Sequence, residues 1–105
     1  MADFMKILQQ AQEMQGKLQQ VQDELQQQTV TASAGGGMVT VEANGQGTVR
    51  SVKIDPSVVN PADVEMLEDL VLVALAEAQK KAQALAADSM GKLSGGLNLP
   101  FKLPF

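Results

Sequence analysis

Cysteine, histidine, tyrosine and tryptophan are all missing from the 105 residues. Without cysteine the chain can form neither a disulfide nor a thiolate metal site, so its fold must rest on packing, within the chain or against a partner. Without histidine it lacks the usual general base at neutral pH and the commonest metal ligand. No Gly-x-Ser-x-Gly, Walker or Rossmann spacing occurs. These lacks predict a protein that is not an enzyme and that uses no metal, no cofactor and no small-molecule substrate. Gly35-Gly36-Gly37 is followed by neither a Lys-Ser pair nor a helix start, so it reads as a turn rather than a phosphate loop. No apolar run approaches the length of about 18 residues needed to span a membrane, and no basic-then-apolar leader is present, so the expected location is cytoplasmic with no membrane association.

What is present divides into three parts. The middle is punctuated by glycine: Gly35-Gly36-Gly37 and Asn44-Gly45-Gln46-Gly47 separate alternating segments that predict strands over 29–34, 38–44 and 48–54. Val30, Ala32 and Ala34, then Val39, Val41 and Ala43, mark one inward face. In the third strand the phase changes between Val49 and Val52, which predicts a bulge or strong twist near Arg50 and Ser51.

On either side lies a long helical pattern. Phe4, Ile7, Ala11, Met14, Leu18, Val21 and Leu25 recur at alternating spacings of three and four, a narrow seam suited to a similar helix and predicting a helix over 4–28. Asn60-Pro61-Ala62-Asp63 reads as a helix start and Gly91 as a stop, giving a second helix over 61–90. Its run Leu70-Val71-Leu72-Val73-Ala74-Leu75-Ala76 is apolar on more than one side. The fold class is therefore α+β, an α-β-β-β-α subunit with a three-stranded antiparallel meander between two long helices, forming one domain over residues 1–91. Residues 92–105 form a Gly/Pro-rich C-terminal tail. Helices of about 38 and 45 Å outrun a globule of this size, so the arms protrude and their stripes need a partner. A homodimer is expected, with an interface drawn from Phe4, Ile7, Ala11, Met14, Leu18, Leu70, Val71 and Leu75.

The formal charge is −4, but its distribution is uneven. Asp63, Glu65, Glu68 and Asp69 crowd the start of the second helix, whereas Lys80, Lys81, Lys92 and Lys102 follow later. If the two helices run antiparallel, Lys6 meets Lys80 and Lys81 in a basic tip able to touch phosphate. Glutamine fills ten of the first 28 positions, nearly all off the seam. Glutamine can pair with adenine in a major groove, although its use as an uncharged helix former is the simpler reading.

Gln12-x-Met14, Ser33-Ala-Gly-Gly-Gly-Met-Val39, Asn44-Gly45, Val52-x-Ile-Asp-Pro56, Met66-Leu-Glu-Asp-Leu70 and the final Leu-Pro-Phe-Lys-Leu-Pro-Phe, in that order, resemble the YbaB/EbfC family of bacterial nucleoid-associated proteins. The resemblance spans nearly the whole chain. It implies a tweezer-like homodimer in the nucleoid that binds double-stranded DNA and alters its conformation, with roles in nucleoid organisation, gene expression and DNA protection. It further implies that the arms contact DNA, through Lys6, Gln9 and Gln10 on the first and Lys80, Lys81 and Gln83 on the second. The alternative is a homodimeric protein–protein interaction module that does not touch DNA, favoured by the net negative charge.

Overall fold

A computed structural model of the chain describes residues 2–96. In order it contains α1 (Ala2–Gln27), β1 (Thr29–Ala34), β2 (Val39–Asn44), β3 (Val49–Ile54), a single 3-10 turn (Pro56–Val58) and α2 (Val64–Gly96). The strands form one antiparallel sheet in the order β1-β2-β3. The α-β-β-β-α order and the meander follow the sequence expectation.

The bulge also falls where the phase change places it. Glu42 pairs with Ser51 but Ala43 pairs with Val49, so Arg50 has no partner across the ladder. An extra residue of this kind bends its strand and re-aims the side chains around it. The β1–β2 turn uses all three glycines at positive φ (65°, 69° and 95°), a region that other residues enter at a cost.

α2 packs on β1 and β2 and leaves β3 largely uncovered. Contact is close because the helix presents small side chains: Ala74, Ala78 and Ala82, spaced four apart, are buried against Ala32, Ala34, Val39, Val41 and Ala43. Leu67, Leu70, Val71 and Leu75 flank the stripe and are half-buried. Residues paired across an antiparallel ladder share a face. Ile54, Val52 and Val49, opposite Val39, Val41 and Ala43, therefore point to the same side as α2 but remain open. The other face carries Thr31, Ser33, Thr40, Glu42, Ser51 and Lys53.

Both boundaries of α2 differ from the expected ones. Asn60 does not cap the helix. Its Oδ1 accepts the Ala62 N–H (3.0 Å) and its carbonyl accepts the Asp63 N–H (2.9 Å), closing a turn around Pro61 and Ala62. Asp63 then caps, its Oδ1 accepting the Met66 N–H (3.2 Å). Proline suits the second position of a turn as well as a first helical turn, so the motif admits both readings. At the far end α2 continues through Gly91 to Gly96, and Leu93 lines a cleft with α1 residues beyond it. Of the expected tail, residues 97–105 lie outside the described residues.

The subunit is elongated, 72 × 22 × 16 Å, with a radius of gyration of 19.7 Å. A compact chain of this length would have about 13 Å.

Ala78 has no exposed surface, so Ala78→Leu should lower stability by about 1–3 kcal/mol through overpacking. Urea denaturation should show a lower midpoint with an unchanged slope. A second expectation concerns Asp55. Its Oδ1 accepts the Ser57 N–H (2.9 Å), and these hydrogen bonds from Ser57 hold its carboxyl below the ordinary 3.8. A depressed folded value means the contribution is complete above the unfolded pKa and is lost as pH falls through the folded one. The Ser57 amide shift should titrate with a midpoint below 3.8, and Asp55→Asn should abolish that titration.

Candidate nucleic-acid interface

The geometry of the arms starts at the last turn of α1, whose final carbonyls have no partner inside the helix. The β2–β3 turn supplies the partners. The Gly45 N–H donates to the Leu25 carbonyl (2.7 Å) and, less directly, to that of Gln28 (3.2 Å). Gln46 Nε2 donates to the Gln22 carbonyl (3.0 Å) and to Gln22 Oε1 (3.2 Å). Arg50, freed by the bulge, donates from Nη2 to the Gln26 carbonyl (2.5 Å). α1 has no basic residue in its own last turn, so this guanidinium brings the positive charge favoured at a helix C-terminus.

Asn44 organises the turn itself. It is 3% exposed, and its Oδ1 accepts the N–H groups of Gln46 (2.9 Å) and Thr48 (3.0 Å). The Asn-Gly pair is expected at a tight turn with two positive φ values, but of the two glycines here Gly45 is not at positive φ and Gly47 is, at 88°. Gly45 meets a different need. A Cβ there would lie 2.7 Å from the Leu25 carbonyl oxygen and 3.1 Å from its Cα, so only glycine lets the two backbones approach.

From this anchor α1 runs antiparallel to the second half of α2. Leu25 lines one cleft with Ala82 and Ala86, while Lys17 and Val21 line another with Ser89 and Leu93. The seam is thus continuous but unevenly covered: Leu25 is buried, Val21, Leu18 and Met14 are half-buried, and Ala11, Leu8, Ile7 and Phe4 are exposed. Gly16 has open space around it and interrupts nothing.

This register corrects the basic-tip expectation. Lys80 and Lys81 lie level with the anchored end of α1, and Lys6 is some twenty residues further out, about 30 Å along the helix. The structure does not bring Lys6, Gln9 and Gln10 together with Lys80, Lys81 and Gln83. Lys81 is held at the edge of the sheet, its Nζ donating to the Thr31 carbonyl (2.7 Å). Lys80 is exposed. Gln83 lines the cleft at the base of the arms, about 650 Å³, with Gln22, Gln46 and Gln79. Lys6, Gln9 and Gln10 stand exposed on the distal half of α1.

The cations that do converge are Lys17 and Lys92, which line one cleft between the helices with Gln20, Gln28 and the acidic Glu24. Lys92 also pairs with Asp88 at 3.4 Å on the exposed surface. Sequence reasoning missed this pair because it depends on the register of two helices separated by the whole sheet. The signal was present only as a lysine in each arm. At the opposite end, Asp63, Glu65 and Asp69 surround Met66, Leu70 and Val73. The densest acidic cluster is therefore at the start of α2, while along the arms Lys6, Lys17, Lys80, Lys81 and Lys92 are interspersed with Asp3, Glu13, Asp23, Glu24 and Asp88. Among the described residues no acidic side chains gather into a metal-binding group.

Of the expected interface residues, Leu70, Val71 and Leu75 pack against the subunit's own core. Phe4 and Ile7, from the same expected set, are left open, and so among others are Met5 and Leu8 on α1, Met66, Leu72 and Val73 on α2, and Val49, Val52 and Ile54 on β3.

The subunit is thus a sheet-and-helix base carrying two helical arms, the first of them rich in exposed glutamine. The chain belongs to the YbaB/EbfC DNA-binding family, which matches residues 1–97. A nucleoid-associated protein of Gemmatimonas aurantiaca is 52% identical over 103 residues, covering 98% of this chain and 99% of that one. One of Syntrophobacter fumaroxidans is 50% identical over 98 residues, covering 92% and 89%. The fold is also that of an uncharacterized Helicobacter pylori protein solved by crystallography, with a TM-score of 0.68, 24% identity, and coverage of 79% of this chain and 96% of that one. No helix of the described residues is long and apolar enough to cross a membrane.

Gly45→Ala should force the turn and α1 apart. We expect a loss of at least about 1 kcal/mol, as for a backbone contact that cannot relax. In amide exchange, the protection of residues 22–28 should fall more than that of β1 and β2.

Proposed function

We propose that the protein acts in the cytoplasm, at the nucleoid, as a homodimer that binds double-stranded DNA and changes its path. The observation that supports it best is the polarity of the subunit. The arms extend a surface bearing Lys6, Lys17, Lys80 and Lys92, with Gln9 and Gln10 beside them and Asp3, Glu13, Asp23, Glu24 and Asp88 interspersed, while the densest acidic cluster, Asp63, Glu65, Glu68 and Asp69, lies at the other end of α2. Lysines on protruding helices meet phosphates and release counterions, so binding is salt-dependent and largely indifferent to sequence. Acids at the far end discourage wrong orientations.

The open flank of the sheet supports the dimer. Val49, Val52 and Ile54 leave the β3 side of the α2-covered sheet face open, and α2 separately exposes Leu72 (66% exposed) and Val73 (51% exposed). Surfaces of this kind mark contacts between chains. A two-fold axis there places one pair of arms on each side of the axis, so that a duplex spanned by both pairs must follow the angle between them. Such a pairing carries the roles in organisation, expression and protection of DNA.

Two measurements test this reading. Sedimentation should give twice the 11.1 kDa chain mass at micromolar concentration, and Val52→Glu should return it to one chain mass without unfolding the subunit. Anisotropy of a labelled duplex should give a negative log–log salt slope. Replacing Lys17 and Lys92 together by Glu should weaken binding to all sequences alike and reduce the slope by about 0.9 per contact removed. A chain that shows no salt-sensitive binding, but captures one protein at fixed stoichiometry, would be an interaction module instead.

A further inference from the structure

The cleft at the base of the arms has a lining that contact with phosphate does not account for. It measures about 650 Å³, and four glutamines line it: Gln22 from α1, Gln46 from the β2–β3 turn, and Gln79 and Gln83 one turn apart on α2. No charged side chain is among its lining, so it favours a neutral ligand. Its volume lies within the range of about 300–1,000 Å³ usual for small-ligand clefts.

Each glutamine presents an acceptor and an NH2 donor side by side in one plane. Gln46 Nε2 is committed to the Gln22 carbonyl (3.0 Å) and to Gln22 Oε1 (3.2 Å), which fixes two of the four amides at the anchored turn. Gln79 and Gln83 are exposed, and among the described residues their amides make no hydrogen bond with the rest of the chain. The other side chains of the cleft are apolar, Leu25, Ala82 and Ala86, and Gly45 and Gly47 add bare backbone. A flat ring can lie against such small groups while its edge meets the amides.

The ligand is thus planar and neutral, with a donor and an acceptor adjacent on its edge. Among nucleobases adenine meets this best, because glutamine pairs bidentately with its N6 and N7, whereas guanine offers two acceptors there and cytosine or thymine a single polar group. Lys80 argues for a nucleotide over other neutral rings. It is exposed and precedes Gln83 by three residues, so the two are neighbours on the surface of α2. A cation next to a neutral cleft is the combination that a base with its phosphate requires. The base must be unpaired, since two helices in contact admit one ring between them but not a duplex.

We propose that this cleft binds an unpaired adenine base, with Gln79 and Gln83 pairing with its edge and Lys80 meeting its phosphate. The base belongs to a distorted strand or to a free nucleotide, and the recognising chemistry is the same for both. The first source rests on the DNA reading above, and the second does not.

Anisotropy of three labelled duplexes tests the site: one fully paired, one with a single bulged adenine, and one with an abasic residue in the bulge, which keeps the flexibility and lacks the base. The bulged adenine should bind about tenfold tighter than the abasic residue, the discrimination given by one bidentate amide–base pair. Gln79→Leu should remove that difference while leaving paired-duplex affinity and far-UV circular dichroism unchanged. In parallel, millimolar adenosine monophosphate should shift the side-chain NH2 resonances of Gln79 and Gln83 but not those of Gln9 and Gln10, and cytidine monophosphate should shift neither pair. Nucleotide shifts without a bulge preference support the site with the free nucleotide as its source. Nucleotide shifts without binding of any duplex keep the site and sink the DNA reading. An adenine preference that survives both Gln79→Leu and Gln83→Leu overturns the proposal, as does the absence of both the preference and the shifts.

Discussion

Two backbones meet where Leu25 of α1 passes over Gly45 of the β2–β3 turn, and the direction of α1 relative to the rest of the subunit depends on that meeting. The 2.7 Å hydrogen bond between them has room only because position 45 lacks a side chain. Around it Gln46, Arg50 and Asn44 satisfy polar groups that a helix end and an irregular turn would otherwise leave unpaired. α1 makes few other contacts with the sheet, so its long free length is a lever fixed at one end. Small changes at the anchor become large displacements at Phe4, some 30 Å away by helical rise.

α2 is held differently. Its alanine stripe lies flat on β1 and β2, and its second half continues past the sheet to line the inner side of α1. The rigid part of the subunit is therefore the sheet with the first half of α2, and the arm is a two-helix extension of it. The polarity of charge follows the same division. The densest acidic cluster sits on the rigid part, near the helix start where it also suits the macrodipole, and the extension carries lysines interspersed with Asp3, Glu13, Asp23, Glu24 and Asp88.

Local patterns with a physical mechanism were legible in the sequence. The glycine turns, the alternation of β1 and β2, the bulge at Arg50 and the seam of α1 were all readable, because each depends on neighbours in sequence. The start of α2 was misplaced because Asn60 and Asp63 are both good caps, and only the turn at Pro61 decides between them. Leu70, Val71 and Leu75 looked available for a partner because sequence cannot show which side of an apolar helix the sheet takes. The site was less legible still. Whether Lys6 meets Lys81 or Lys17 meets Lys92 depends on the antiparallel register of two helices separated by the sheet. That register is set by Leu25 against Ala82 and Ala86, a contact with no local signal.

The hydrogen bond from Lys81 to the Thr31 carbonyl bears on how the protein behaves when many copies crowd along one polymer. β1 is an outer strand, and outer strands recruit further strands through their free carbonyl and amide groups. Here a lysine from α2 occupies one acceptor on that strand and leaves a charged stem across the approach. On the opposite border, the bulge at Arg50 breaks the even spacing that a recruited strand would need. Both borders of the sheet thus resist growth by strand addition, and neighbouring molecules can stand close together without fusing into a ribbon.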